Sequence, residues 1–341
     1  MDRRHGAKPV IALAMGDPAG ISPELTAKVM MVAQVGAKAR LIVIGDRRVF
    51  DEGARVAGLK PELRTVSPDD RLEPREDSPI FVDLGHLDPT SVVSGQASER
   101  GGQFALANYK YGLTLARAGR ADAVCFTPFN KRSMRLARPD YDDEIAFSAE
   151  VAGLESPASE FNVLDKLWNA RVTSHIPLAE VSSRVTYDRV MRSLRLTDSC
   201  MRASGFPRPR IAVAGLNPHA GDSGNFGREE IDIIAPVVEA AKRDGIAAEG
   251  PYPPDTVFLR AKNGAFDAVL TMYHDQGQIA MKLMGFDRGV TLLGGFAFPI
   301  CTPAHGTAYE IVGQGIASVG ATQAALLLAA EIATRKPVSS I

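Results

Sequence analysis

Short apolar runs rich in β-branched residues recur along this chain, and most break into loops of Gly, Pro, Asn or Asp before a stretch with helical spacing. Pro9–Met15, Ala39–Ile44, Ile80–Val82 and Ala123–Phe126 read as strands. Pro23–Val35 reads as a helix with Ser22 as N-cap and Pro23 at the first helical position, and Arg48–Ala57 and Ser98–Ala118 as two more. From about Met134 the same alternation continues with richer loops. Helix Asp188–Ser204 precedes strand Ile211–Ala214, helix Arg228–Asp244 follows, then strand Ala268–Met272, and Ala321–Ala333 is a terminal helix. This order predicts an α/β fold with mainly parallel sheets flanked by helices. A chain of 341 residues is long for one hydrophobic core, so two domains are expected, at 1–133 plus 295–341 and at 134–294.

Composition narrows the partners. A net charge of -1, with Lys/Arg and Asp/Glu interspersed, offers nothing for nucleic acid or an anionic membrane. Cys125, Cys200 and Cys301 are widely spaced and odd in number, which argues against a disulfide framework and for a reducing cytoplasm. The N-terminal apolar run is short and enters Gly16-Asp17-Pro18-Ala19-Gly20, a strand-to-helix turn and not a signal-peptide cleavage site. No run approaches the roughly 18 apolar residues of a membrane span.

Three of the six histidines sit where an apolar run gives way to a polar loop: His175 after Arg171–Thr173, His219 after Ile211–Gly215 and His274 after Ala268–Met272. Strand ends are where open α/β sheets bind ligands. Each histidine alone reads equally as a hydrogen-bonded structural residue. Together they could supply three imidazoles to one metal ion with an open position. Asp275 beside His274, and Asp222 three residues past His219, are the kind of carboxylate that holds a ligating imidazole in one tautomer. The spacings of 44 residues (175 to 219) and 55 (219 to 274) exclude a compact finger or a HExxH helix. An all-imidazole set favours zinc, cobalt or nickel over magnesium. The loop from His305 to Ala317 interleaves Gly306, Gly313 and Gly315 with small and aliphatic residues, so its backbone could approach a flat ligand closely. No GxGxxG follows the first strand, so an ordinary Rossmann dinucleotide site is not expected.

The stretches MGDPAGISPE, TSHIPL, GLNPHAGDSGNFGREE, GPYPPDTVF, YHDQGQIAMKLMGFDRGV and PAHGTAYEIVGQGIA, in this order over nearly the whole chain, resemble the PdxA family, 4-hydroxythreonine-4-phosphate dehydrogenases of pyridoxine biosynthesis. The resemblance implies a two-domain fold of the isocitrate and isopropylmalate dehydrogenase type. It implies an NAD or NADP cofactor and one divalent ion (Zn, Co or Mg) held by His175, His219 and His274. It also implies a homodimer whose active site draws on both subunits. Lys282 then matches a lysine that contacts substrate, and Asp255 and Asp275 match acidic positions near the metal, where either could act as the base. His305, Gly306, Thr307, Ala308, Gly313, Gly315 and Ile316 fall on the loop that holds the NAD adenosine. Departures bear on the substrate. Thr291 and Ile300 stand where the phosphate-substrate enzymes have Asn and Arg, and Asp140–Glu144, with Asp143 and Glu144 at the substrate positions, replaces a His-Thr pair. A bidentate fork for phosphate is lost. The expected reaction is oxidation of a secondary alcohol of a hydroxy acid, followed by loss of the β-carboxylate. The alternatives are a non-phosphorylated hydroxy acid or dihydrodiol carboxylate as substrate, or metal-dependent hydrolase or lyase chemistry on the same histidines.

Overall fold

The computed structural model describes residues 8–70 and 78–335; the expected domain limits at residues 1 and 341 lie outside them. Its strands are β1 (Val10–Ala14), β2 (Arg40–Gly45), β3 (Arg64–Val66), β4 (Ile80–Asp83), β5 (Ala123–Phe126), β6 (Ser159–Leu164), β7 (Leu167–Arg171), β8 (Ile211–Ala214), β9 (Ala248–Tyr252), β10 (Ala268–Thr271), β11 (Val290–Gly294) and β12 (Ile300–Pro303). The helices are α1 (Ser22–Met30), α2 (Ala33–Lys38), α3 (Arg47–Val56), α4 (Glu99–Arg117), α5 (Lys131–Ala137), α6 (Glu144–Ala152), α7 (Val181–Arg184), α8 (Tyr187–Ala203), α9 (Ala235–Arg243), α10 (Pro254–Lys262), α11 (His274–Gly285) and α12 (Gly320–Thr334).

The described residues form two compact units, 8–70 and 78–156 with 290–334, and 157–289 with 335. In the first, the strands run in the order β3-β4-β2-β1-β5-β12-β11, every neighbouring pair parallel except β11–β12. In the second the order is β6-β7-β10-β8-β9, parallel except for the β6–β7 hairpin. Covered on both faces, β1, β5, β8 and β10 are almost wholly buried, which is why each reads as an unbroken apolar run and not an alternating one.

Several boundaries differ from those expected. Residues 134–156 belong with the first unit and not the second, because α4, α5 and α6 share one core in which Tyr109 meets Phe126, Phe129 and Phe147. The second unit ends at Gly289, where β11 leaves for the first. The single helix expected over 23–35 is broken into α1 and α2. Ser22 does not cap it: the residue is already helical, and its Oγ donates to the Pro128 carbonyl at 2.7 Å. The start of the helix expected over 228–244 is a π-helical turn, Glu230–Ile234, before α9. The β6–β7 hairpin was not expected at all, because its tight Asp165-Lys166 turn, with Asp165 at φ 53°, lacks the usual Asn-Gly signature. Among the described residues no helix is long and apolar enough to cross a membrane.

Candidate active site

Adjacent parallel strands deliver the histidines of the second unit. β7 pairs in register with β10 up to Arg171↔Thr271, so the chain leaves both strands side by side and arrives at His175 and His274 together. Their ring centroids are 5.5 Å apart, tilted by 44°. Two imidazoles on one tetrahedral zinc, each at about 2.0–2.1 Å, put their ring centres about 5 Å apart, so this pair fits a shared divalent ion. His274 Nδ1 is bonded to Asp275 Oδ1 at 2.7 Å, which leaves Nε2 as its ligating nitrogen. His219 does not complete a triad here. Among the described residues no three His, Cys, Asp or Glu side chains stand close enough to hold an ion. The His219 ring lies against Phe226 of its own loop, centroids 6.3 Å apart. Asp222, expected to orient His219, instead accepts from Asn225 Nδ2 within that loop.

The three histidine-bearing loops are nevertheless laced together. Thr173 donates to the Met272 carbonyl from both its backbone N (3.1 Å) and its Oγ1 (2.7 Å). Met272 N in turn donates to Gln276 Oε1 at 2.7 Å, while Gln276 Nε2 donates to the Gly215 carbonyl at 2.8 Å. The next two backbone nitrogens, Leu216 and Asn217, both donate to Glu230 Oε1 at 2.7 Å. Sequence reasoning missed Gln276 and Glu230. Nothing in their spacing distinguishes them from ordinary helix-start polar residues, although a glutamate buried to 2% exposure is rare without a task.

The other candidates in this unit spread along the helices. Asp255 lies in the exposed first turn of α10, just past the strand β9 whose Tyr252 carbonyl receives Gly215 N. Lys282 is exposed on α11, eight residues beyond His274 and so about 12 Å along the helix axis. Within one chain this helix therefore separates Lys282 from the imidazole pair.

In the first unit, the loop 305–317 packs onto the turn after β1. Ile21 N donates to the Thr307 carbonyl at 3.1 Å, Tyr309 Oη donates to Asp17 Oδ2 at 2.6 Å, and Lys28 Nζ donates to the Gly315 and Ala317 carbonyls. Burial raises the Asp17 carboxyl above the ordinary range, against the hydrogen bonds from Tyr309 and Ala19. Gly313 and Val312 of this loop, with Gly20, Pro23, Val49 and Val56, line a cleft of about 320 Å3. His305 bonds the Gly306 carbonyl, Ala308 adopts φ 44°, and Ile316 is exposed. Of the seven residues predicted for the adenosine loop, Gly313 lines this cleft; His305, Gly306, Thr307, Ala308, Gly315 and Ile316 do not.

The predicted substrate residues of this unit have local roles. Asp143 caps α6, accepting from Ala146 N at 2.8 Å, and Glu144 faces Lys131 at 3.5 Å. Asp140 and Glu150 share Arg138, whose hydrogen bond holds the Asp140 carboxyl below its usual range. Within the acidic stretch Asp140 and Glu144 thus each face a cation, and Asp143 is spent on the helix cap. Thr291 sits in β11 opposite Thr302, and Ile300 is fully buried in the first unit's core. Cys125 and Cys301 face each other on neighbouring strands, both buried, and burial pushes the Cys125 thiol well up, as suits packed thiols and not nucleophiles.

Two α/β units, with a pair of imidazoles at the strand ends of one and a cleft beside Gly20 and Gly313 in the other, define a two-unit α/β protein of mainly parallel strands. The family model "Pyridoxal phosphate biosynthetic protein PdxA" matches residues 37–329, and the chain belongs to this family. A protein of Rhizobium meliloti (strain 1021), provisionally named 4-hydroxythreonine-4-phosphate dehydrogenase 2, is 58% identical over 329 residues, covering 96% of this chain and 94% of its own. The crystal structure of 4-hydroxythreonine-4-phosphate dehydrogenase from Klebsiella pneumoniae superposes with TM-score 0.82 at 34% identity, covering 96% of this chain and all (100%) of that one. A terephthalate 1,2-cis-dihydrodiol dehydrogenase from Burkholderia xenovorans LB400 aligns with TM-score 0.64 at 28% identity, over 95% of this chain and 98% of that one.

Proposed function

We propose that this chain is a dehydrogenase that oxidises the secondary alcohol of a hydroxy acid with NAD or NADP and a divalent ion. The observation that carries this reading is the His175–His274 pair, 5.5 Å apart at adjacent strand ends with Asp275 behind it. In this reading His175 and His274 hold the ion, with His219 as the third imidazole, in a site completed across a homodimer. The exposed apolar side chains Ile279 and Leu283, one turn apart on α11, support a subunit contact on this helix. An ion held there supplies Lewis-acid polarisation of the substrate alcohol, and zinc or cobalt suits the donors best. Asp275 keeps the His274 ring in the Nδ1–H tautomer, facing Nε2 outward. Asp255 or Asp275 takes the hydroxyl proton, and Lys282, brought to the site from its exposed position on α11, pairs with the substrate's anionic groups. The cleft beside Gly313 takes the adenosine, its wall of small residues admitting a flat ring. The β-keto acid so formed is prone to lose its carboxylate.

The substrate class follows the relatives first: the Rhizobium meliloti and Klebsiella pneumoniae proteins are both named for a 4-phosphate. A non-phosphorylated hydroxy acid or dihydrodiol carboxylate is favoured by one specific observation. Ile300 is buried in an apolar core, so no guanidinium serves that position. Purified protein incubated with NAD, Zn2+ or Co2+ and a panel of both substrate types is expected to produce reduced cofactor, and CO2 from the β-hydroxy acids. Silence across the panel, with cofactor and metal bound, overturns the dehydrogenase reading. Reduced cofactor from the phosphate-free members alone decides the substrate class.

A further inference from the structure

The loop that carries His219 has an unusual backbone. Five consecutive residues, His219, Ala220, Gly221, Asp222 and Ser223, adopt left-handed conformations, at φ 53°, 53°, 83°, 42° and 59°. Four of them are not glycine, and in each the left-handed conformation crowds Cβ against the following carbonyl. Such a segment persists only where its surroundings over-determine it. Two side chains fix the chain where it enters this segment. Glu230, 2% exposed, accepts three hydrogen bonds from the loop's entry: Leu216 N and Asn217 N on Oε1, and Asn217 Nδ2 at 3.0 Å on Oε2. The carboxylate also fills the space beside the loop glycines. A Cβ on Gly215 would meet Oε1 at 2.9 Å, and one on Gly221 would meet Oε2 at 2.7 Å. Gln276 holds the same entry from the other side, since its Nε2 takes the Gly215 carbonyl while its Oε1 takes Met272 N, two residues before His274.

We propose that Gln276 and Glu230 form a positioning clamp that sets where the His219 loop stands relative to the His274 loop, and so sets the affinity of the metal site. This rests on the reading that the three histidines hold a divalent ion. Neither residue touches the ion. They act through the backbone at 215–217 and 272, which a side chain of the wrong hydrogen-bonding polarity cannot hold. Gln276→Glu keeps the acceptor for Met272 N but turns the second arm into an oxygen facing the Gly215 carbonyl. Glu230→Gln keeps the Oε1 acceptor but sets an amide N–H2 against Asn217 Nδ2.

The test is a Co2+ titration of the full-length protein, followed by visible absorption, on wild type, His219→Ala, Q276E and E230Q. Far-UV circular dichroism and melting in metal-free buffer establish that each variant is folded. Wild type is expected to develop the absorption of low-coordinate cobalt, and His219→Ala to lose or reshape it. Q276E and E230Q, which act through the backbone and not on an imidazole, are expected to weaken Co2+ binding by about 10-fold, the lower end of the effect of losing a ligand's direct hydrogen-bond partner, and to reach the wild-type spectrum only at high Co2+. Their turnover should recover in parallel as Co2+ is raised, which a general loss of stability would not produce. If His219→Ala loses cobalt while Q276E and E230Q bind it with wild-type affinity, the clamp is wrong and the metal reading stands. If His219→Ala binds like wild type, the metal reading itself fails and takes the clamp with it. Should E230Q not fold, Q276E decides alone, because Gln276 is only partly buried.

Discussion

His274 and Asp275 show how much one carboxylate does at the scale of a residue. Asp275 is 71% exposed, so its 2.7 Å contact with Nδ1 contributes little to stability; its effect is on the ring's tautomer and direction. Asp275→Asn is therefore expected to leave the melting temperature nearly unchanged while weakening Zn2+ binding about 10-fold by calorimetric titration. Asp46 is the opposite case. Its buried carboxylate caps α3 at Arg48 N, accepts Leu87 N at 2.9 Å and chelates Arg48. Burial alone would raise its pKa, but these hydrogen bonds outweigh it and hold the group below the ordinary value of 3.8. A depressed carboxyl contributes stability above its unfolded pKa and loses it as pH falls through the folded one. D46N should cost about 1–3 kcal/mol at neutral pH, and its stability should fall less steeply than wild type below about pH 4, as read from denaturant melts across pH.

At the scale of elements, the cleft of the first unit depends on how closely the loop 305–317 can lie on α3. Gly315 adopts φ 71°, and a Cβ there would stand 2.6 Å from the Val56 carbonyl. Neither the conformation nor the distance admits a side chain. Gly315→Ala should push the loop off α3 and weaken NAD binding at least about 10-fold by fluorescence titration, which at 1.4 kcal/mol per decade is within the usual cost of overpacking. Cobalt binding, which belongs to the other unit, should be unchanged. A joint loss of both would mean that G315A disturbs more than its own element.

For the whole molecule, the proposed homodimer is the point on which catalysis turns, because Lys282 stands some two turns of helix from the imidazole pair of its own chain. Light scattering on the purified protein should give twice the 36.4 kDa chain mass. Leu283, 85% exposed on α11 and one turn from the exposed Ile279, is the side chain proposed for the subunit contact, and Leu283→Glu should halve that mass and remove most turnover while the fold is kept. A dimeric L283E enzyme with full activity would put the contact elsewhere.

Much of this was legible beforehand. Buried parallel strands must be continuous apolar runs, so β1, β2, β5, β8 and β10 announced themselves, and the polar stretches with His175 after β7, His219 after β8, His274 after β10 and the glycines of 306–315 after β12 stood out as interruptions. Asp143, read as a substrate position, instead caps α6. Local sequence could not reveal the β6–β7 hairpin, whose turn lacks a strong local signal, or the assignment of α6 to the first unit, which rests on contacts between distant aromatic rings. Nor could it show that His175 and His274 meet while His219 turns to Phe226, or that Gln276 and Glu230 hold the loops between them. Periodicity reports what each segment buries; which strand lies beside which, and which side chain reaches across, is settled only when segments far apart in the chain compete for the same space.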